Sequence, residues 1–361
     1  MIDSQDSRRE FSDASVILYN ADTLGLYLKW PSPIVIVSDG AYGVRGFPGD
    51  PPTPAGLADW YEPHIAEWSK YSTPQTTLWF WNTELGWATV HPILKKYGWD
   101  YRTCHIWDKG MAHAAGNSNT QTLRKLPVVT EVCVQYTRRA EFPVGERNLS
   151  MMDWLRHEWM RAGLPFSESN KACGVKNAAT RKYFTNDHLW YYPPVEMFER
   201  FSTYANRHGD PKGRPYFSLD GRYPISGDTW SRMRAKFICP IGITNVWREP
   251  PLNGNERMKN GGRCVHLNQK PLKLVELILS ISSEVGDVVW EPFGGLCSVA
   301  LASARLGRRC RSAEIHKAFY DLAVKRLASA GPYRPARGLG AHRGLEQSPQ
   351  SASRTARILS F

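Results

Sequence analysis

Apolar residues along this chain keep two different rhythms. Short runs almost free of polar interruption stand at Val16-Ile17-Leu18-Tyr19, Ile34-Val35-Ile36-Val37 and Thr77-Leu78-Trp79-Phe80-Trp81. The first is closed by Asn20-Ala21-Asp22 and the second by Ser38-Asp39-Gly40. Such brief β-branched and aromatic runs predict strands buried on both faces of a parallel sheet. Residues 101–107 and 128–136 predict two more. Residues 58–70 carry helical spacing, and 87–97 predict a helix closed by Gly98, with Pro92 implying a late start or a kink. Strands alternating with helices predict an α/β doubly wound sheet.

From about 140 to 250 the rhythm weakens and Arg, Lys, Tyr, Trp and Pro become frequent. Residues 151–162 predict an amphipathic helix ended by Gly163. Residues 164–186 then predict two short helices, the first capped by Ser167 and ending near Ala172, the second capped by Asn177 and ending near Phe184. Gly174 supplies the turn between them. Helix, turn, helix with Lys176, Asn177, Thr180, Arg181 and Lys182 on the second is a pattern that reads DNA; two unrelated surface helices are the plainer alternative. From 264 the α/β rhythm returns: helix 272–280 after Pro271, strand 288–290, helix 298–306, strand 310–315 and helix 318–328. The last 31 residues, with five arginines, one glutamate and many Gly, Pro and Ser, read as a disordered basic tail.

Composition changes this picture only modestly. The net charge of +12 and the 14 tryptophans permit a polyanionic partner with stacking bases, and equally permit a basic protein with an aromatic core. The tryptophans at 79–107 read as core. Seven cysteines are scattered without CxxC spacing or a short Cys/His cluster. That predicts no metal site and reduced thiols in a cytoplasmic setting. The N-terminal MIDSQDSRREFSD is too polar for a signal peptide, and no apolar run reaches about 18 residues, so no membrane span is expected.

The chemistry concentrates in a few segments. Glu291-Pro292-Phe293-Gly294-Gly295 lies at a predicted strand-to-helix turn, where glycines let a ligand approach the backbone and the helix N-terminus faces it. Glu314, about twenty residues on, ends the next predicted strand and can accept hydrogen bonds from both ribose hydroxyls. A GxGxxG diphosphate fingerprint is absent, which disfavours a nicotinamide cofactor.

Residues 266–327 resemble the C-terminal half of the amino-methyltransferases of DNA. His266-Leu267-Asn268-Gln269-Lys270-Pro271 is similar to the family's HPxQKP box, Glu291 to Gly295 to its D-P-F-x-G loop, and Glu314 to its ribose-binding acid. Tyr19-Asn20-Ala21-Asp22 resembles the adenine-contacting strand. Seventeen residues after Asp22, Asp39-Gly40-Ala41-Tyr42 resembles the catalytic D-P-P-Y tetrad. Trp107-Asp108-Lys109 and Thr130-Glu131 fall where the family carries a W-x-K and a glutamate-bearing strand. Tetrad first and cofactor loop last is the permuted, β-type order.

The resemblance implies a Rossmann-like S-adenosylmethionine-dependent sheet in two parts, 1–140 and 246–330, a mostly helical target-recognition domain at 141–245, and a tail at 331–361. It implies Asp39, Gly40 and Tyr42 as catalytic residues. It places Asp22, His266, Asn268, Gln269, Lys270, Glu291, Pro292, Phe293, Gly294, Gly295, Cys297, Ser298 and Glu314 at the cofactor. Double-stranded DNA is the implied partner; a cognate restriction endonuclease and a homodimer stay open.

Two departures bear on this expectation: Gly40 and Ala41 replace prolines, and Cys297 replaces a glycine. An exocyclic amine is a weak nucleophile because its lone pair is delocalised into the base. Asp39 and the Gly40 carbonyl can each accept one N–H and draw the nitrogen toward tetrahedral geometry, and neither role needs proline. Tyr42 would stack on a base turned out of the duplex. Proline would have preset the backbone, so Gly40 calls loop rigidity into question. An aspartate first in the tetrad is more usual for adenine N6 and a serine for cytosine N4. Ser38 precedes Asp39, and the reading leans to adenine with cytosine N4 as alternative. The departures also leave open a methyltransferase-like DNA-binding protein without catalysis; an RNA methyltransferase of similar fold is a further alternative, against which the helix-turn-helix pattern favours duplex DNA.

Overall fold

The computed structural model describes residues 7–45, 49–110, 124–211, 213–252, 257–260, 263–264 and 269–329. Strands β1 (Ser7–Phe11), β2 (Val16–Asn20) and β3 (Val35–Ser38) are followed by helix α1 (Leu57–Tyr71), β4 (Thr77–Asn82), helix α2 (Glu84–Lys96), β5 (Trp99–Asp108) and β6 (Thr130–Arg138). Then come the hairpin β7 (Phe142–Val144) and β8 (Arg147–Leu149) and helices α3 (Met151–Arg161), α4 (Glu168–Cys173), α5 (Ala178–Lys182), α6 (Val195–His208) and α7 (Gly227–Ser231). The last part holds β9 (Val246–Arg248), the short pair β10 (Lys259–Asn260) and β11 (Arg263–Cys264), α8 (Leu272–Ser282), β12 (Val288–Glu291), α9 (Ser298–Arg305), β13 (Arg309–Ala313) and α10 (Lys317–Ala328).

Nine strands form one mixed sheet in the order β1-β2-β13-β12-β3-β4-β6-β5-β9. Strands β2, β13, β12, β3 and β4 run parallel, and β6 is antiparallel to both β4 and β5. Alternate residues of each strand feed two cores. Val35, Val37, Trp79 and Trp81 pack with α8, α9 and α10 on one face; Ile36, Leu78 and Phe80 pack with α1 and α2 on the other. This is the period of two that a strand imposes, and it makes the sheet an α/β layer with a core on each face. The uninterrupted runs are buried on both sides for that reason. Trp79, Trp81, Trp99 and Trp107 are core residues, as the sequence implied.

A third core has its own aromatic centre. Phe142, Trp154, Trp159, Phe198, Phe201, Phe217 and Trp230 are buried together between α3, α6, α7 and the β7–β8 hairpin.

Several expected boundaries move. Helix α2 starts three residues before Trp87, because the Thr83 side chain accepts from Gly86 N–H and caps it; Pro92 does not delay it. Ser167 and Asn177 flank their helices without a side-chain cap. The second helix is capped instead from the first, Asn170 Oδ1 accepting from Ala179 and Thr180 N–H. It stops at Lys182, short of Phe184. Strand β13 ends at Ala313, so Glu314 lies one residue beyond it. The edge strand β1 is unexpected from its sequence.

Candidate active site

Chain order sets the position of the site. From β3 the chain moves outward to β4, and from β12 it moves the other way to β13, while β3 and β12 are neighbours. Connections diverging from adjacent parallel strands leave a crevice at their carboxyl ends, where open α/β sheets bind ligands. A cleft of about 570 Å³ lies there. Asp39, Gly40, Ala41 and Tyr42 come to it from the end of β3, and Glu291 to Gly295 from the end of β12. Asp22, after β2, and Glu314, after β13, line it as well. Among the described residues six carboxylates line this cleft (Asp22, Asp39, Asp50, Asp59, Glu291 and Glu314), against Lys270 as its one lysine or arginine. The cleft is acidic in a chain of net charge +12.

The antiparallel strands deliver two further groups. Because β6 runs against β4 and β5 against β6, the start of β6 and the end of β5 lie at this same edge, with Trp107 opposite Glu131. Lys270 Nζ lies 2.8 Å from Asp39 Oδ1 and 3.3 Å from Glu131 Oε2, and donates to the Tyr42 hydroxyl at 2.9 Å. That hydroxyl donates to Asp39 Oδ1 at 2.8 Å, and Lys109 pairs with Glu131 Oε1. Two ammonium groups thus face two carboxylates. Burial opposes charge on Lys270, yet Asp39 and Glu131 outweigh it and raise the ammonium above its usual range. Burial also opposes charge on Glu131; Lys270 and Lys109 overcome it and hold this carboxyl low. Burial first, then Asp39 and Glu131, push the Tyr42 phenol well up, so it stays a neutral donor. Sequence reasoning noted Glu131 and Lys109 as family positions but assigned neither to the site. Their pairing depends on strand register, which no local pattern states.

At the other end, Glu314 Oε2 accepts from Gly295 N–H and Oε1 from His316 N–H, each at 2.7 Å, and burial raises its carboxyl. A Cβ on Gly294 would lie 2.8 Å from Ser312 Oγ and 3.0 Å from the Ala313 carbonyl oxygen. Cys297 adopts left-handed backbone at φ 56°, a conformation glycine takes at lower cost. Arg326 donates to Ser298 Oγ and to the Leu296 carbonyl, fastening the same turn from α10.

Glu291 differs from expectation. Its Oε1 accepts from Val299 N–H, and its Oε2 from Ala300 N–H and Ser312 Oγ. Helix α9 is therefore capped from within, and those N–H groups do not face a ligand. Burial raises the Glu291 carboxyl to about 7, against the opposing pull of Ser312 and the two N–H groups. Phe293 packs against Trp60 and His64, ring centroids 5.1 and 4.9 Å apart. Trp60 and His64 also line the cleft. Sequence reasoning missed both, since helical spacing makes them look like ordinary core.

Gln269 is buried on the cleft wall and Pro292 lines the cleft. His266 and Asn268 lie outside the described residues. Lys176, Asn177, Arg181 and Lys182 are exposed and belong to the third-core region, not to the cleft. The Thr180 hydroxyl is turned inward, donating to the Phe166 carbonyl and accepting from Asn170 Nδ2. Among the described residues no helix is long and apolar enough to cross a membrane.

Comparison with known proteins gives three kinds of match. A family model described as DNA methylase matches residues 35–325. The type II methyltransferase M.HinfI of Haemophilus influenzae is 34% identical over 89 residues, 24% of this chain and 25% of that protein. The match thus spans about a quarter of that relative's length. Among solved structures, that of a M1.HpyAVI–SAM complex aligns over 86% of this chain and 99% of its own, with TM-score 0.45 and 16% identity. That of the cytosine-N4-specific PvuII DNA methyltransferase aligns over 89% and 90%, with TM-score 0.42 and 10% identity.

Proposed function

Because the chain belongs to the DNA methylase family of N6 and N4 amino-methyltransferases, we propose that it methylates an exocyclic amino group of a base in duplex DNA with S-adenosylmethionine as donor. The observation that carries this reading is the meeting of two ends in one crevice: Asp39 and Gly40 just after β3, Gly294 and Glu314 just after β12 and β13. The residues fit the donor. Gly294 is packed too closely for any side chain, Glu314 offers a carboxylate to ribose hydroxyls, and Phe293 with Trp60 and His64 offers apolar surface to a base. Asp22, Asp39, Asp50, Asp59 and Glu314 on the cleft wall suit a cation, and Glu291 takes up the N–H groups at the start of α9 that a diphosphate would use.

The bound donor supplies a methyl group on a sulfonium sulfur, open to in-line displacement. Lys270 and Tyr42 hold Asp39 Oδ1, which leaves Oδ2 to accept one N–H of the target amine. The Gly40 carbonyl, without a donor among the described residues, accepts the second. Two acceptors localise the nitrogen lone pair and aim it at the methyl carbon. The Asp39 carboxylate would take the surplus proton that the nitrogen carries once it has accepted the methyl group, the donor leaving as its neutral thioether, and would pass that proton to water. Tyr42, on the cleft wall, stacks on the base turned out of the helix. Adenine N6 is the target we favour, from the aspartate that opens the tetrad. The region from 141 to 245 reads the DNA sequence, with Lys176, Asn177, Arg181 and Lys182 as its candidates at the duplex.

Asp39→Ala is expected to abolish methyl incorporation while calorimetric binding of S-adenosylmethionine persists; substantial surviving activity would sink the assignment. Tritium transfer to plasmid DNA, compared with total RNA, tests the substrate class. Nucleoside analysis of the product should return N6-methyladenine, and N4-methylcytosine would replace the adenine reading.

A further inference from the structure

We propose that Tyr61 and Asn82 are positioning residues that clamp the Ala41 carbonyl and so stiffen the Asp39–Tyr42 loop, doing with side chains what proline rings would do with covalent structure. This rests on the methyltransferase reading above. Gly40 is the residue with the greatest backbone freedom, and Ala41 adds little restraint. Left unfastened, the loop would spread Asp39 and the Gly40 carbonyl over many geometries, and acceptors must be prepositioned to act on the amine.

The loop is fastened at one peptide unit. The Ala41 carbonyl accepts from Tyr61 Oη at 3.0 Å and from Asn82 Nδ2 at 2.9 Å. The Tyr42 N–H, on the other side of that same peptide bond, donates to Asp50 Oδ2 at 3.0 Å. A planar unit held by three hydrogen bonds from both edges cannot rotate, and it adjoins the Gly40 carbonyl directly.

Both clamping side chains are themselves fixed. Tyr61 is fully buried on α1, its ring 5.0 Å from Phe80 and 6.1 Å from Phe293 between centroids. Asn82 closes β4, and its Oδ1 accepts from Thr83 N–H at 2.9 Å. Its place depends on Gly86, where a Cβ would lie 1.9 Å from Asn82 Oδ1. Glycine at 40 belongs to the same device. A Cβ there would lie 2.8 Å from Tyr61 Oη and 2.6 Å from the Phe293 ring. The residue that frees the backbone is also the one that lets the clamp close.

Tyr61→Phe removes one hydroxyl and keeps the ring. Under saturating DNA and donor it should lower kcat about 10- to 100-fold with KM for both substrates unchanged. Calorimetric affinity for S-adenosylhomocysteine and the thermal midpoint should also stay at wild-type values. Asn82→Ala, which removes the second donor to the Ala41 carbonyl from a residue outside the cleft lining, should lower kcat in the same direction and supplies the test if Tyr61→Phe folds poorly. Wild-type kcat in either well-folded variant, or a loss matched by weaker cofactor binding, would overturn the clamp. Wild-type protein in the same assay separates the two levels: if it transfers no methyl group, the methyltransferase reading fails first.

Discussion

The residue most tightly constrained in this site is Gly40. A methyl group placed there would press on Phe293 and Tyr61 at 2.6–2.8 Å, closer than Cβ atoms come to anything. Phe293 has little room to retreat, since Trp60, His64 and Trp68 surround it. Gly40→Ala is therefore expected to cost about 1–3 kcal/mol of unfolding free energy, the usual range for overpacking. It should also weaken S-adenosylhomocysteine binding, because the ring forced aside is part of the cleft wall. Urea unfolding and calorimetry on one preparation check both; wild-type values would mean that Phe293 moves freely. Asp39 was legible in the sequence because a polar residue ending an apolar run sits at a strand's carboxyl end. The restraint that replaces proline was not, because Tyr61, Asn82 and Asp50 converge from three separate elements.

Among the elements, the two helices of the α4–α5 pair share a polar lock. Asn170 and Thr180 lock the two helices together, with the first capping the second through Ala179 and Thr180 N–H. Thr180 is thereby removed from any surface role, while Arg181 and Lys182 remain exposed. If these two contact phosphates, Arg181→Ala and Lys182→Ala should each weaken binding of duplexes regardless of sequence and reduce the salt slope of log K by about 1. Fluorescence titration at several salt concentrations measures this; an unchanged slope would move the DNA contact elsewhere. The parallel strands were readable because burial on both faces leaves continuous apolar runs. Strand β1, SRREF, was not, since an edge strand keeps charged residues facing water. Nor was the place of Glu131 beside Lys270, which depends on β6 running antiparallel into the crevice.

Across the whole molecule, charge and burial make stability depend on pH in a way that can be assigned. His105 is buried, its ring stacked on Trp247 at 4.7 Å and tilted against Trp79 at 5.1 Å. Burial, partly opposed by Gln135, pulls its imidazole from 6.5 down to about 4. Above pH 6.5 the ring is neutral in folded and unfolded chains alike. As the pH falls below 6.5 the unfolded chain takes up a proton that the folded chain refuses, so stability is lost progressively until about pH 4. Glu291 acts in the opposite sense. Its folded carboxyl titrates near 7 and its unfolded one near 4.5, so its contribution grows as the pH falls between those values. Glu291 and the similarly depressed His64 are common to wild type and a His105 variant, so their effects cancel in a comparison. His105→Phe keeps an aromatic ring between the tryptophans and removes the titration. Between pH 7 and 4, wild type should lose on the order of 3 kcal/mol more than this variant, from the fall in the imidazole pKa. Denaturant unfolding of both proteins across that range measures the difference. Parallel curves would mean that the His105 ring takes up its proton in the folded state at its ordinary pH, and that burial between Trp79 and Trp247 does not exclude the charge.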